Sequence, residues 1–371
     1  MKLVLDTNVF FRDFHLTGPT FRTLFSGLKK SQCTIYIPEL VFDETINKYC
    51  DYISDPLSKV RKLNSKGIVL FGKVVSNPNQ ASSLYRKFLE SKFKEFGICL
   101  LDYPDVSHEQ LVRRALQRKK PFRTSDTGGY RDALIWETIK KLTTEEPIES
   151  VAFVCANYKD FYDEDKGKLH SHLLDDLKAL SNGSSEVVLY KDLEEFVEKQ
   201  IKPALQRIVK IKSEKDVNKY LKFDLRSFLE NNFLQLTAWA SFSPEGIELP
   251  HEFGDLFISR LEKVNDMEDI NAYKLPGNEV LINLAFRVLP VFDFLILRDD
   301  YYKFEGIRGL LIRDKDWNDL YIACSIMIEV KIEFALVFNV LTSDLISGKI
   351  NSINPIKNNL NHSAPFMPPT N

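Results

Sequence analysis

The chain has 371 residues, 44% of them hydrophobic, with 50 lysines and arginines against 52 aspartates and glutamates. That length holds two domains with sizeable cores, and a net charge of −2 excludes a globally basic nucleic-acid binder, so any phosphate contact must come from a local patch. Five cysteines at 33, 50, 99, 155 and 324 form no Cys-x-x-Cys pair; this argues against a disulfide framework or zinc ribbon, fits a reducing cytoplasm, and goes with the lack of any apolar run near the roughly 20 residues of a membrane span.

The first predicted element is a strand. Leu3-Val4-Leu5 is a short apolar run, the pattern of a buried parallel strand, and Asp6-Thr7-Asn8 follows it. Asp6 therefore falls at the carboxyl edge of a sheet, where open α/β folds bind ligands. Its plainer role is to cap the next helix. Residues 16–30 read as helix. Thr34 to Pro38 reads as strand, and Pro38 suits the first turn of a helix over 39–53 that carries Glu44. Glu39 and Asp43 read as acids favoured by the helix dipole.

Helices are expected over 79–96 and 107–120. In the first, Tyr85, Phe88, Leu89, Phe93 and Phe96 recur at helical spacing and read as core or partner surface. A basic run follows: Arg113, Arg114, Arg118, Lys119, Lys120, Arg123 and Arg131, with Asp126 the sole acid within it. It has two readings, a grip on phosphates and a solvated helix face. Gly128-Gly129 reads as a flexible loop opening onto a helix with Asp132 in its first turn. Val151 to Cys155 is a second buried-strand pattern ending in Asn157, with Asp160 three residues on. His170-Ser171-His172 reads as a polar helix start. Val187 to Tyr190 is a last short strand, and a helix over 191–209 closes this part of the chain.

Residues 210–235 read as a bridging helical region, after which the period changes from 3.6 to 2. Ile326, Ile328, Val330, Ile332, Phe334, Leu336 and Phe338 alternate with Glu329, Lys331 and Glu333, as in a half-exposed antiparallel strand. Residues 279–297 alternate similarly, and Pro290 suggests an edge or bulge. Asp314 to Asp319 reads as a turn. The organisation expected is 1–209, an α/β domain with a parallel sheet; 210–340, an α+β domain with an antiparallel sheet; and 341–371, a loosely ordered tail. The second domain shows no catalytic constellation; binding RNA, forming a homo-oligomer and regulating the first domain all stay open for it.

Four segments carry a resemblance: the strand ending in Asp6-Thr7-Asn8, the proline-led helix bearing Glu44, the helix opening Asp132-Ala133-Leu134-Ile135, and the strand followed by Asn157 through Phe161. In that order they resemble the PIN-domain nucleases over roughly residues 1–185. Lys120-Pro121-Phe122 and Leu169-His170 look closest to a bacterial-type branch with an uncharacterised C-terminal extension. The resemblance implies a PIN-like parallel sheet flanked by helices and a Mg2+- or Mn2+-dependent endoribonuclease acting on RNA. Asp6, Glu44 and Asp132 match the family's acids. The fourth position departs from it, with Asn157 where the family commonly has an acid. Either Asp160 replaces that acid, or Asn157 ligates through its amide oxygen.

The residue types suit that chemistry on their own. Hydrolysis of a phosphodiester needs an activated water and a stabilised leaving oxygen, which hard cations on oxygen ligands supply. Acids gathered at one sheet edge repel one another and hold their protons more tightly when no cation is bound. Two other functions stay open: a catalytically silent PIN-like module that binds nucleic acid or protein, and a DNA nuclease. The chain has no His-Glu-x-x-His site, Walker A loop or nucleophile elbow.

Overall fold

The computed structural model of the chain describes residues 1–65, 78–122, 129–145, 150–163, 168–180, 186–237, 257–304, 310–315 and 318–356. Two compact units appear, Met1–Ala204 and Leu205–Asn371. In the first, strands alternate with helices: β1 (Lys2–Leu5), α1 (Thr7–Phe11), α2 (Pro19–Gly27), β2 (Thr34–Pro38), α3 (Glu39–Ser65), α4 (Pro78–Phe96) and β3 (Cys99–Leu101). There follow α5 (His108–Leu116), α6 (Tyr130–Glu145), β4 (Val151–Val154), α7 (Tyr158–Phe161), α8 (Ser171–Leu180), β5 (Val187–Tyr190) and α9 (Leu193–Phe196).

All five strands are parallel, in the order β3-β2-β1-β4-β5. β1 and β4 are buried along their whole length, which is why both read as unbroken apolar runs. The chain moves outward from β1 to β2 and β3, then returns to place β4 on β1's other side. A crevice therefore opens beyond the carboxyl ends of β1 and β4, the switch point where open α/β sheets bind ligands. Trp136, Phe153 and Phe161 are fully buried in the core beneath it.

Two details differ from expectation. Pro38 closes β2, paired with Leu101, instead of opening the helix. The helix expected over 191–209 is broken: after α9 come a π-helical turn at Val197–Ile201 and a 3₁₀ turn at Lys202–Ala204. Pro203 lacks a donor, and its ring clashes with the preceding turn, so the helix stops there. Among the described residues no helix is long and apolar enough to cross a membrane.

The second unit begins with α10 (Glu214–Leu221) and α11 (Leu225–Thr237). Both lie in one core with the sheet, so the expected bridge is part of the domain. Its antiparallel strands are β6 (Phe257–Lys274), β7 (Glu279–Leu297), β8 (Leu310–Asp314), β9 (Tyr321–Met327), β10 (Val330–Asn339) and β11 (Leu345–Pro355). β9 and β10 lie end to end along β7, and the register carries straight through from Met327 opposite Val291 to Val330 opposite Val288. The gap falls beside Pro290, which has no N–H to give the ladder.

The region expected as a loose tail instead supplies β11, which pairs with β10 from Phe338–Leu345 to Val330–Pro355. Its asparagines, serines and glycine hide a strand whose Ile350 and Ile353 pack against the core. The edge groups of β10 need partners, and this segment satisfies them. Residues 357–371 lie outside the described residues.

Candidate active site

Asp6 ends β1 and caps α1. Its carboxylate accepts hydrogen bonds from the Thr7 amide (2.7 Å, Oδ1), Asn8 Nδ2 (2.8 Å, Oδ2) and Cys155 Sγ (3.1 Å, Oδ2). The cap expected from sequence is thus present, but it is a buried one. Burial holds the Asp6 carboxyl above its ordinary range, and the nearby charge of Glu44 pushes the same way against the lowering effect of the hydrogen bonds.

Glu44 sits in the second turn of α3, where the chain leaves β2. Its Oε2 accepts from Thr7 Oγ1 at 2.9 Å and its Oε1 pairs with Arg131. Asp132 lies in the first turn of α6. The approach to that helix depends on Gly129, whose φ is +101°. A Cβ there would stand 2.7 Å from the Pro121 carbonyl oxygen and 3.0 Å from Phe122 Cα. The glycine read as a flexible loop is instead a close backbone contact that aims Arg131 and Asp132.

Asn157 follows β4, and Asp160 lies in α7. Asp160 is fully buried and accepts the amide hydrogen of Asn157. Asn157 lines the crevice and Asp160 does not. Of the two fourth-position candidates, the amide faces the cavity and the acid stands behind it.

The result is one pocket of about 460 Å³ lined by Asp6, Glu44, Asp132 and Asn157, with Thr7, Arg131 and the rings of Phe11 and Tyr130 among its walls. Its donors are all oxygens, the set that hard divalent cations take. Among the described residues no three acidic, histidine or cysteine side chains are grouped tightly enough to hold an ion directly. Arg131 instead supplies the positive charge at Glu44. The residues present suit a hard divalent cation held in part through its waters, with only one or two carboxylates bound directly.

The basic run is divided among different tasks. Arg113 pairs with Glu109 on an exposed face of α5. Arg114 turns inward, binding Asp176 at 2.7 Å and the Lys120 carbonyl, while Trp136 Nε1 donates to the same Asp176 at 2.8 Å. Arg114 therefore serves the fold, because its guanidinium is committed to α8. Arg118 follows the helix in a left-handed conformation, and the Lys120 amide donates to His172 Nδ1. Among the described residues of the run, Arg131 is the cation that lines the acidic pocket. Arg123 lies outside the described residues.

Sequence reasoning passed over two contributors. Thr7 orients Glu44, and Cys155 donates to Asp6. Thr7 had a usable signal, since it follows Asp6 directly; Cys155 read only as a small buried hydrophobe.

An open parallel sheet with carboxylates lining the crevice at its switch point defines an α/β unit with an acidic pocket. Residues 3–161 match a family model described as PIN domain, and the N-terminal unit is a PIN domain. Proteins of this family are commonly nucleases and generally use divalent metals. Neither a search of curated proteins nor one of solved structures returned a match.

Proposed function

We propose that the N-terminal unit is an endoribonuclease that hydrolyses RNA phosphodiester bonds with Mg2+ or Mn2+ at the pocket of Asp6, Glu44, Asp132 and Asn157. The observation that carries this reading is the convergence of three acids from β1, α3 and α6 and the amide after β4 on one cavity at the switch point. The cation, when bound, lowers the pKa of a water and stabilises the leaving oxygen.

The chain's own groups do the rest. Asp6, Glu44 and Asp132 would hold the cation, in part through its waters. Asn157 offers its amide oxygen, because its amide nitrogen is engaged by Asp160. Thr7 fixes one oxygen of Glu44. Arg131, paired with Glu44 in the pocket wall, is the cation placed to meet a substrate phosphate through a charge-assisted contact of the kind phosphates favour. The remaining cations of the basic run, Arg113, Arg118, Lys119, Lys120 and Arg123, lie outside the pocket lining or outside the described residues, and any role for them is with more distant phosphates. None of the five cysteines is in a disulfide, which accords with action in a reducing cytoplasm.

A second reading, a silent module that binds nucleic acid, is favoured by the Arg131–Glu44 pair and the amide at the fourth position. A third, a DNA nuclease, shares all of the geometry. A cleavage assay on RNA and DNA with Mg2+, Mn2+ and EDTA separates the three. Cutting of RNA that vanishes in EDTA and in Asp132→Asn supports the nuclease. An inert chain with no Asp6-dependent divalent binding by calorimetry would leave the silent module.

A further inference from the structure

The N-terminal unit holds a second cavity beside the acidic pocket. It has a volume of about 510 Å³ and is walled by α3, α4 and Tyr103, two residues beyond β3. Glu44 and Arg131 line both cavities, so their ion pair is a shared wall. Asp6 and Asn157 place the acidic pocket beyond β1 and β4, whereas Tyr103 and the start of α3 place the second beyond β3 and β2. Neighbouring strands lie about 4.8 Å apart, so β1 and β3 are separated by roughly 10 Å. That separation suits a neighbouring nucleotide rather than the phosphate being cut.

The lining has the chemistry of a base site. Tyr103 is 45% exposed. Its hydroxyl donates to Asp43 Oδ2 at 3.4 Å, and Asp43 Oδ1 holds Arg86 Nη2 at 2.6 Å. The Arg86 guanidinium lies 4.8 Å from the centre of the Phe42 ring. One carboxylate thus fixes an aromatic ring and a guanidinium plane, the surfaces on which unstacked bases lie. Asn47 offers a donor and an acceptor for a base edge. Lys48, Arg86 and Arg131 outnumber Asp43 and Glu44 in charge, which suits a segment with a phosphate on each side.

We propose that this second cavity is the subsite for the base of the nucleotide flanking the scissile phosphate, and that it gives cleavage a preference for the base at that position. The proposal rests on the nuclease reading of the acidic pocket.

The test is run on the full chain. In EDTA, fluorescence anisotropy gives the affinity for single-stranded RNA and DNA oligonucleotides differing at one central base. Tyr103→Ala should weaken binding about tenfold, while Tyr103→Phe keeps the stacking ring and the affinity. Asn47→Ala should narrow the spread between oligonucleotides that differ at that base. Equal affinity of the native chain and Tyr103→Ala, or no single-strand binding by the native chain, overturns the subsite. Cleavage in Mn2+ is mapped in parallel. Binding that depends on Tyr103 without any cutting would remove the nuclease and leave the base site. Cutting that depends on Asp132, at positions and affinities unchanged by Tyr103→Ala, would remove the subsite alone.

Discussion

Asp160 accepts the amide hydrogen of Asn157, so the buried acid of the fourth segment stands behind the pocket and the neutral side chain stands in it. Replacing Asn157 by Asp should therefore have opposite effects with and without a cation. In EDTA a second carboxylate meets the buried Asp160, and stability should fall by about 1–3 kcal/mol. In Mn2+ the new ligand should raise divalent affinity. Thermal melts in both buffers check this; equal melting temperatures of variant and native chain in EDTA would show that Asn157 does not hold Asp160.

Asp6 sets a pH dependence with a definite sign. Its folded-state pKa is raised above the ordinary 3.8, chiefly by burial. The stability linked to its proton is fully present below about pH 4 and is lost as pH rises through the raised value. Asp6→Asn removes that loss. In metal-free buffer the variant's melting temperature should gain on the native chain's between pH 4 and pH 8, and added Mg2+ should close the gap. A pH-independent difference would contradict the burial effect.

Gly129 predicts a coupled loss of fold and activity. Gly129→Ala puts a Cβ 2.7 Å from a carbonyl oxygen at a φ of +101°, a conformation costing about 1–3 kcal/mol for such a residue. The start of α6 must shift, carrying Arg131 and Asp132 with it. Urea unfolding should show the lower stability, and cleavage should fall more than stability alone explains. A fully active, fully stable variant would mean that the α6 entry tolerates a side chain.

The basic run should separate by task. Arg114, with 11% of its side chain exposed, holds Asp176 and a carbonyl, and Arg114→Ala should cost about 2 kcal/mol in urea unfolding. Arg113→Ala breaks an exposed pair worth at most about 0.5 kcal/mol. Reversing Arg118 and Lys119 to Glu should weaken RNA affinity and flatten its salt dependence while leaving metal binding unchanged. Salt titrations of oligonucleotide binding check this, and unaltered low-salt affinity would return both residues to a solvated surface.

The parts legible in the sequence were those with a local cause. Buried parallel strands must be apolar throughout, so β1 and β4 announced themselves, and with them the sheet edge where Asp6 and Asn157 stand. The alternation from Ile326 to Phe338 gave one long strand in correct phase, because β9 and β10 share one register along β7. What stayed hidden depends on distant partners. Nothing near Arg114 in the chain shows that Asp176 will claim it, and nothing in Asn157 through Asp160 shows which side chain will face the cavity. Nor does the composition of 345–355, rich in polar residues, show that β10 has an edge to fill. Asp43 illustrates the same limit: it read as a helix-dipole acid, but it anchors Arg86 and Tyr103.

The pairing of β11 with β10 has a consequence for how the chain can fail. β10 is an interior strand by composition: Val330, Ile332, Phe334, Leu336 and Phe338 are all buried. Its outer backbone edge is covered by β11, which is made only after every other strand of the unit. A polypeptide cut short after Asn339 would fold most of this sheet and leave a long apolar edge as a template for another molecule. Premature termination or proteolysis in the last described segment would then turn a well-paired sheet into a seed for aggregation.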